Sequence, residues 1–188
     1  MTRDPRTRVV LLLVAFALSV GLRVALGQPD VARDITAGLA FAGCLLLVAA
    51  AAGIRFPLSR RAFLLGLGGA ALVCLPVSLQ QLLTYRPLHG THGFAGWALA
   101  VVIVATAEEV FLRGTLYDAA ELAWNAPAAI GLGAVCFALL HVPLYGWHVL
   151  PLDLAVGIVL GGLRQAAGTP LAPAVTHVGA DLVGWFVR

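Results

Sequence analysis

The chain has 188 residues, of which 61% are hydrophobic and 11% are charged, and its formal net charge is +3. Soluble domains average roughly 25% charged residues, so this composition excludes a soluble globular protein and predicts a polytopic membrane protein. All twelve basic residues are arginines, and most of them flank apolar runs. That pattern is typical of membrane topology signals and argues against a nucleic-acid-binding face.

Seven apolar runs follow along the chain, at 9–26, 35–54, 62–83, 94–120, 128–141, 150–167 and 170–187. A span needs about 20 apolar residues, and a shorter run can cross where the bilayer thins locally. We therefore predict an all-α transmembrane helical bundle of about seven spans. It forms a single integral membrane domain over residues 1–188, with three spans within 9–83 and four within 94–188. Ser59 and Thr169 are predicted N-caps, and Pro127 and Pro170 are predicted first-turn prolines.

The orientation follows from the arginines near the ends of these runs, because cytoplasmic loops carry an excess of Lys and Arg. Eight arginines fall on one side and four on the other, which predicts a cytoplasmic N-terminus. The first group is Arg3, Arg6, Arg8, Arg55, Arg60, Arg61, Arg113 and Arg164, and the second is Arg23, Arg33, Arg86 and Arg188. Prolines and glycines mark the breaks between runs, including the stretch 87–90.

The fourth run contains ionisable residues within an otherwise apolar helix. Such groups are costly at membrane depth, so a functional site is the default interpretation. Glu109 and Arg113 share a helix face at i,i+4 spacing and can form an ion pair. Glu108 points about 100° away and has no local partner, which suits it to accept a proton. The alternative is a structural cluster that fixes helix packing.

Two later runs carry further polar residues at the same spacing. Phe137 and His141 share a face near the end of the fifth run, where a lone histidine is also compatible with simple packing. His177 and Asp181 share a face of the seventh run, where a bare carboxylate would be expensive. A helix-packing hydrogen bond is the alternative for this pair. Interfacial or capping positions are predicted for His148 and Asp153.

Taken together, three helices present two glutamates, an arginine, two histidines and an aspartate. Such a set can hydrolyse a bond with water, because a carboxylate removes the water proton while imidazole and carboxyl groups hold the oxyanion. Alternatively, a metal ion would be ligated by His141 and His177 with Glu108 or Asp181, leaving a position open for water. The pattern requires no cofactor and is compatible with Zn²⁺.

Three motifs thus follow one another on three helices: Glu108-Glu109-x-x-x-Arg113, Phe137-x-x-x-His141 and His177-x-x-x-Asp181. In this order they resemble the motifs of the CAAX prenyl protease type II and bacteriocin-processing (CPBP, or Abi) family of intramembrane endopeptidases. The resemblance covers residues 94–188, which it implies are the catalytic core. The three N-terminal runs match only in being hydrophobic.

The resemblance implies a role for each matching residue. Glu108 would activate the attacking water, and His141 would position that water or assist proton transfer. His177 and Asp181 would stabilise the oxyanion. Supporting roles fall to Glu109 and Arg113.

Two points stay open within the resemblance. Family members are described either as glutamate-dependent proteases or as metalloproteases, and a metal would here be ligated by Glu108, His141, His177 and Asp181. The last motif position is Asn in many members, and an ionised Asp cannot donate to an oxyanion. Asp181 is therefore protonated, orients His177 or ligates a metal.

These observations predict an intramembrane endopeptidase in a bacterial inner (cell) membrane, with the lipid bilayer and a membrane-anchored protein or peptide substrate as its partners. By resemblance, the substrate is a bacteriocin or modified-peptide leader, a membrane-anchored regulator or a C-terminal sorting tag of the myxosortase type. The alternatives are a proton-coupled transporter component and a non-catalytic scaffold or immunity protein. The lack of inverted repeats counts against the transporter.

Overall fold

The computed structural model describes residues 4–30, 32–84 and 90–187. Within these residues the chain forms seven helices and no strand, so the predicted all-α fold is confirmed. A short 3₁₀ turn, Trp147–Val149, leads into the sixth helix. The helices are α1 (Pro5–Leu26), α2 (Ile35–Ala51), α3 (Arg60–Thr84), α4 (Phe94–Ala123), α5 (Ala126–Tyr145), α6 (Leu150–Ala167) and α7 (Leu171–Phe186).

Five segments of the described chain are long and apolar enough to cross a membrane. They are α1, α3, α4, α5 and the segment Trp147–Ala167 that contains α6. The other two helices are shorter, since α2 has 17 residues and α7 has 16. The protein is therefore an integral membrane protein, and the count of seven spans stays a prediction.

The arginine count behind the predicted orientation changes in one respect. Arg23 and Arg113 are 7% and 1% exposed, so they are interior residues rather than flanking charges. Without these two residues, seven arginines lie on the predicted cytoplasmic side and three on the other, instead of eight and four. A cytoplasmic N-terminus therefore stays the prediction. Arg3, Arg86 and Arg188, together with the break at 87–89, lie outside the described residues.

Short polar caps set several helix starts. The hydroxyl of Ser59 accepts a hydrogen bond from the N–H three residues later, at 3.4 Å, and the hydroxyl of Thr169 accepts one from the N–H two residues later, at 3.3 Å. Pro127 lies in the first turn of α5, as predicted. In α7 both predictions are wrong by one residue: Pro170 occupies the N-cap position instead of the first turn, and Thr169, the predicted N-cap, lies one residue before it.

Helix α5 is longer than the predicted run 128–141. Pro143, which was expected to follow its end, lies inside the helix. A proline in a helix interior removes one backbone hydrogen bond, but membrane helices tolerate this because neighbouring groups satisfy the freed carbonyl. The helix ends at Gly146, where φ is 92°. His141 consequently lies inside α5, one turn before its last residue.

Helix α4 is the centre of the bundle. Of its most apolar stretch, 44% is buried, which is the largest share among the candidate spans. The helix contacts α1, α2, α5, α6 and α7. A π-helix, Val110–Leu116, interrupts it directly after the two glutamates. The sequence predicted a regular α-helix there. Because π-helical turns are rare and occur mostly at functional sites, this irregularity marks the same stretch as its charges do.

Close packing holds the neighbouring helices against α4. Phe16 of α1 stacks on Phe111 at a centroid distance of 5.6 Å, and Phe41 of α2 is fully buried in the same core. On the other side, α5 and α6 meet backbone to backbone. A Cβ atom at Gly157 would lie 2.7 Å from the Cα of Ala134, so only glycine fits at this crossing.

Candidate active site

A cavity of about 1080 Å³ lies inside the bundle, and residues from all seven helices form its wall. The six residues singled out from the sequence divide into two groups around it. Glu109 and Arg113 lie behind the wall, 0% and 1% exposed. The residues that line the cavity are Glu108, His141, His177 and Asp181.

The predicted ion pair within α4 is present. Nη1 of Arg113 lies 2.9 Å from Oε1 of Glu109, across one helical turn. The other terminal nitrogen of Arg113 donates to the carbonyl of Gly157 at 3.2 Å, and the guanidinium lies 4.8 Å from the centroid of the Phe137 ring. Salt bridge, hydrogen bond and ring contact together fix Arg113 between α4, α5 and α6.

His177 belongs to the same buried network. Its Nδ1 lies 2.9 Å from Oε1 of Glu109, the oxygen that also accepts from Arg113. Because this carboxylate is paired with a guanidinium and is acceptor-only when ionised, Nδ1 carries the proton and donates. Nε2 of His177 lies 3.6 Å from Oδ2 of Asp181. The imidazole is thus held between two carboxylates, one buried and one on the cavity wall.

Helix α7 is anchored one residue before this histidine. The hydroxyl of Thr176 donates to the carbonyl of Gly66 in α3 at 2.9 Å. This bond joins α3 to α7 inside the bundle and holds the turn of α7 that carries His177. The apolar residues of the N-terminal helices therefore help to build a site whose recognisable motifs lie elsewhere.

Glu108 has a partner that local sequence spacing does not predict. Nη1 of Arg23 in α1 lies 3.5 Å from Oε1 of Glu108. The sequence left Glu108 without a partner on its own helix, and Arg23 was counted there as a topology signal. An arginine three residues from the end of an apolar run was the available clue, because intramembrane charges default to functional roles.

His141 is oriented by its own helix and by α6. Its Nδ1 lies 2.9 Å from the carbonyl oxygen of Phe137, which can only accept, so Nδ1 donates. Asp153 approaches the same nitrogen at 3.8 Å and lines the cavity. Asp153 was predicted to lie at an interface or cap, and it does lie in the first turn of α6. Its contact with His141 joins residues of two helices, so local spacing could not reveal it.

The π-helical segment of α4 is braced from α6. Nε of Arg164 donates to the carbonyl of Arg113 at 2.7 Å, and Nη2 donates to Asp118 at 2.6 Å. The same guanidinium lies 4.7 Å from the centroid of the Tyr117 ring. These contacts hold the widened turns in place below the two glutamates.

A metal ion was the second chemistry that the sequence allowed. Zinc in a catalytic site takes three protein ligands that converge on one point. Within residues 4–30, 32–84 and 90–187, no three His, Cys, Asp or Glu side chains are grouped in that way. His177 directs Nδ1 at Glu109, and His141 directs Nδ1 at a backbone carbonyl, an orientation that histidines ligating a metal through Nε2 also have. The described residues thus show no assembled set of three ligands, and the chemistry proposed for the site uses water without a metal ion.

An enclosed carboxylate beside two imidazoles, inside a bundle of apolar helices, has the composition of a site for hydrolysis with water. Residues 90–183, half of the chain, match the family model described as type II CAAX prenyl endopeptidase Rce1-like. The chain belongs to this family, and the resemblance found in the three motifs is confirmed. Its class is therefore that of a CAAX-protease-like intramembrane endopeptidase. No curated protein and no solved structure matches the chain.

Proposed function

We propose that the protein hydrolyses a peptide bond in a membrane-associated protein or peptide, with Glu108 as the base that activates water. One observation carries this proposal. Glu108, His141, His177 and Asp181, which come from three helices, all line one cavity. The pair formed by Glu109 and Arg113 lies behind them and is unsuited to contact a substrate.

The first step is attack by water. Glu108 is buried, lines the cavity and is the glutamate not engaged by Arg113. Its carboxylate accepts a proton from water while the water oxygen bonds to the carbonyl carbon of the substrate. The electron pair of the C=O double bond moves to oxygen, which produces a tetrahedral oxyanion. His141 faces the same cavity, and with Nδ1 committed to Phe137 its Nε2 is left to position the water.

The oxyanion needs a hydrogen-bond donor, and His177 is placed to be one. The carboxylates of Glu109 and Asp181 on either side favour the doubly protonated imidazolium, whose Nε2–H can donate to the oxyanion. Of the three roles open to Asp181, the 3.6 Å distance between its Oδ2 and Nε2 of His177 supports pairing with this histidine. An ionised Asp181 is then useful without donating a hydrogen bond itself.

Collapse of the intermediate completes the reaction. The oxyanion re-forms the C=O bond, the C–N bond breaks, and the proton held by Glu108 passes to the leaving nitrogen. The products are a carboxylic acid, which ionises, and an amine. Glu108 therefore acts first as a base and then as an acid, as a single carboxylate can when both groups bind next to it.

The cavity supports a peptide segment as the substrate. Its volume of about 1080 Å³ is slightly larger than that of most ligand pockets, which span about 300–1,000 Å³. Apolar side chains share the wall with the charged ones, among them Trp97, Val101 and Leu152. A membrane-anchored protein, a peptide leader or a C-terminal sorting tag in a bacterial cell membrane would supply such a segment.

The test compares Glu108→Gln with Glu121→Gln, a matched change on the same helix at an exposed residue that bonds Tyr117. Each protein is reconstituted in lipid vesicles with a panel of membrane-anchored peptides, and products are identified by mass spectrometry. We expect Glu108→Gln to lose cleavage by about 10²–10⁴-fold and Glu121→Gln to retain it. Cleavage at the parental rate in Glu108→Gln would show that another group is the base.

A further inference from the structure

Arg23 lies in α1, outside the residues 90–183 that match the family model. Its guanidinium nevertheless reaches the centre of the candidate active site. Nη1 lies 3.5 Å from Oε1 of Glu108, and the two side chains are 9% and 4% exposed. Both residues line the same cavity. A helix without any recognisable motif thus supplies a charge to the proposed catalytic base.

The surroundings of Arg23 fix its position without neutralising it. The guanidinium lies 5.1 Å from the centroid of the Phe41 ring, which is fully buried on α2. Cation–π contacts of this kind hold an arginine in place and leave its charge available. Arg23 contacts Glu108 through one terminal nitrogen and does not form the bidentate pair that arginine can make with a carboxylate. The contact therefore resembles a point charge beside the carboxylate.

We propose that Arg23 is a positioning residue that stabilises the carboxylate of Glu108 and directs it into the cavity before water attacks. Its charge would then set the lowest pH at which Glu108 can accept the water proton. This inference rests on the proposed role of Glu108 as the base. It assigns to α1 a part in catalysis beyond lining the bundle.

The other titratable and charged groups around Glu108 support this assignment, because within the described residues each of them contacts a partner other than Glu108. On the remaining elements, α2 and α3 contribute the apolar residues Ile35 and Val73 to the wall. The pairs are Glu109 with Arg113 on α4, His177 with Asp181 on α7, His141 on α5 with Asp153 on α6, and Arg33 with Asp30 before α2.

Arg23 is thus the cation on this wall whose carboxylate partner is Glu108. The neighbouring carboxylate of Glu109 opposes a second negative charge at this depth. A carboxyl group in a poorly solvated site beside another carboxylate favours its neutral form, and an adjacent cation opposes that preference. Since a neutral carboxyl group cannot take a proton from water, removing Arg23 should disable the base at low pH and spare it at high pH.

The experiment measures kcat/KM against pH for Arg23→Gln, Arg23→Lys and the matched control Arg8→Gln. Arg8 lies on the same helix and donates to the carbonyl of Ala52 at 3.0 Å, so its loss also weakens the α1–α2 contact. For Arg23→Gln we expect the pH below which kcat/KM falls, the acidic limb of the profile, to rise by roughly one unit. Below this limb the activity should be about tenfold lower than the parental value, and above it the activity should be parental. Arg8→Gln should keep the parental profile.

Arg23→Lys gives a test that does not depend on Arg23→Gln folding well. Lysine keeps the charge and lacks the planar guanidinium that packs on Phe41. If Arg23 acts through its charge, the acidic limb of Arg23→Lys should lie at the same pH as that of the parent protein. Equal losses at every pH in both Arg23 variants would indicate packing alone and overturn the inference, as would a parental profile for Arg23→Gln.

Glu108→Gln belongs in the same series, because it separates the two proposals. An active Glu108→Gln variant would contradict the proposed function itself. If Glu108→Gln is inactive and Arg23→Gln has the parental profile, the proposed function stands and the role of Arg23 is wrong. Thermal unfolding of each variant in detergent verifies that the profiles are compared between folded proteins.

Discussion

Glu109 and His177 lie 2.9 Å apart between Oε1 and Nδ1, and this contact joins α4 to α7 inside the bundle. The same oxygen accepts a hydrogen bond from Arg113, also at 2.9 Å. Glu109 is therefore more than a counter-ion for an arginine on its own helix. One buried carboxylate oxygen orients the histidine that is proposed to hold the oxyanion.

Glu109→Gln should lower both stability and activity. It leaves the guanidinium of Arg113, which is 1% exposed, as a buried charge without its counter-ion. Breaking a buried pair in this way costs about 3–5 kcal/mol, which chemical unfolding in detergent micelles would measure. The double variant Glu109→Gln/Arg113→Met removes the orphaned charge as well, and should be more stable than Glu109→Gln alone. A double variant whose losses simply add would contradict a direct pairing.

The sequence predicted those parts of the site that are local in the chain. The pairing of Glu109 with Arg113 was predictable because i,i+4 residues share a helix face. The contact of Arg23 with Glu108 spans 85 residues, and no periodicity relates α1 to α4. The π-helix at Val110–Leu116 was missed for a related reason, because the bond from Arg164 of α6 that braces it depends on tertiary structure. Apolar runs predicted the helices, whereas packing decided their ends and irregular turns.

Gly157→Ala should separate α5 from α6 and disturb the site. The new Cβ would lie 2.7 Å from the Cα of Ala134, and a backbone atom cannot move aside as a flexible side chain can. The carbonyl of Gly157 accepts from Arg113, so displacing α6 also weakens that bond. We expect a loss of about 1–3 kcal/mol in the free energy of unfolding, as for overpacked cores, and a lower kcat.

Gly162→Ala on the same helix is the control for this change. A Cβ at that position meets nothing within 4 Å. Alanine is a better helix former than glycine by about 1 kcal/mol, so this variant should unfold at the parental temperature or above it. Equal destabilisation by both substitutions would show that the close approach at Gly157 is not the cause.

Asp153→Asn should slow the reaction with little effect on KM. The carboxylate lies 3.8 Å from Nδ1 of His141 and would stabilise any positive charge that this imidazole acquires during proton transfer. Asparagine keeps the shape and removes the charge, so kcat should fall. Steady-state kinetics on a vesicle-reconstituted substrate would measure it. Asp4→Asn is the matched control, since asparagine also caps helices well; equal kcat values for both variants would argue against a role for Asp153.

Removal of metal ions should leave cleavage unchanged. The described His, Cys, Asp and Glu side chains do not converge as three ligands on one point, whereas a catalytic zinc requires such a set. The measurement compares the rate of the purified protein before and after incubation with a chelator. Loss of activity that zinc then restores would instead assign the water to a metal ion, with Glu108 as its ligand or neighbouring base.

Asp181→Asn tests how the oxyanion is held. If Asp181 is ionised and keeps His177 doubly protonated, asparagine removes a charge that lies 3.6 Å from Nε2. The imidazolium would then lose its proton at a lower pH, so the basic limb of the kcat/KM profile should move down. Activity on the acidic side should stay parental, because Glu109 still orients Nδ1 of His177. A basic limb that stays in place or moves up would show that Asp181 donates to the oxyanion as a neutral acid, a role in which the asparagine amide replaces it.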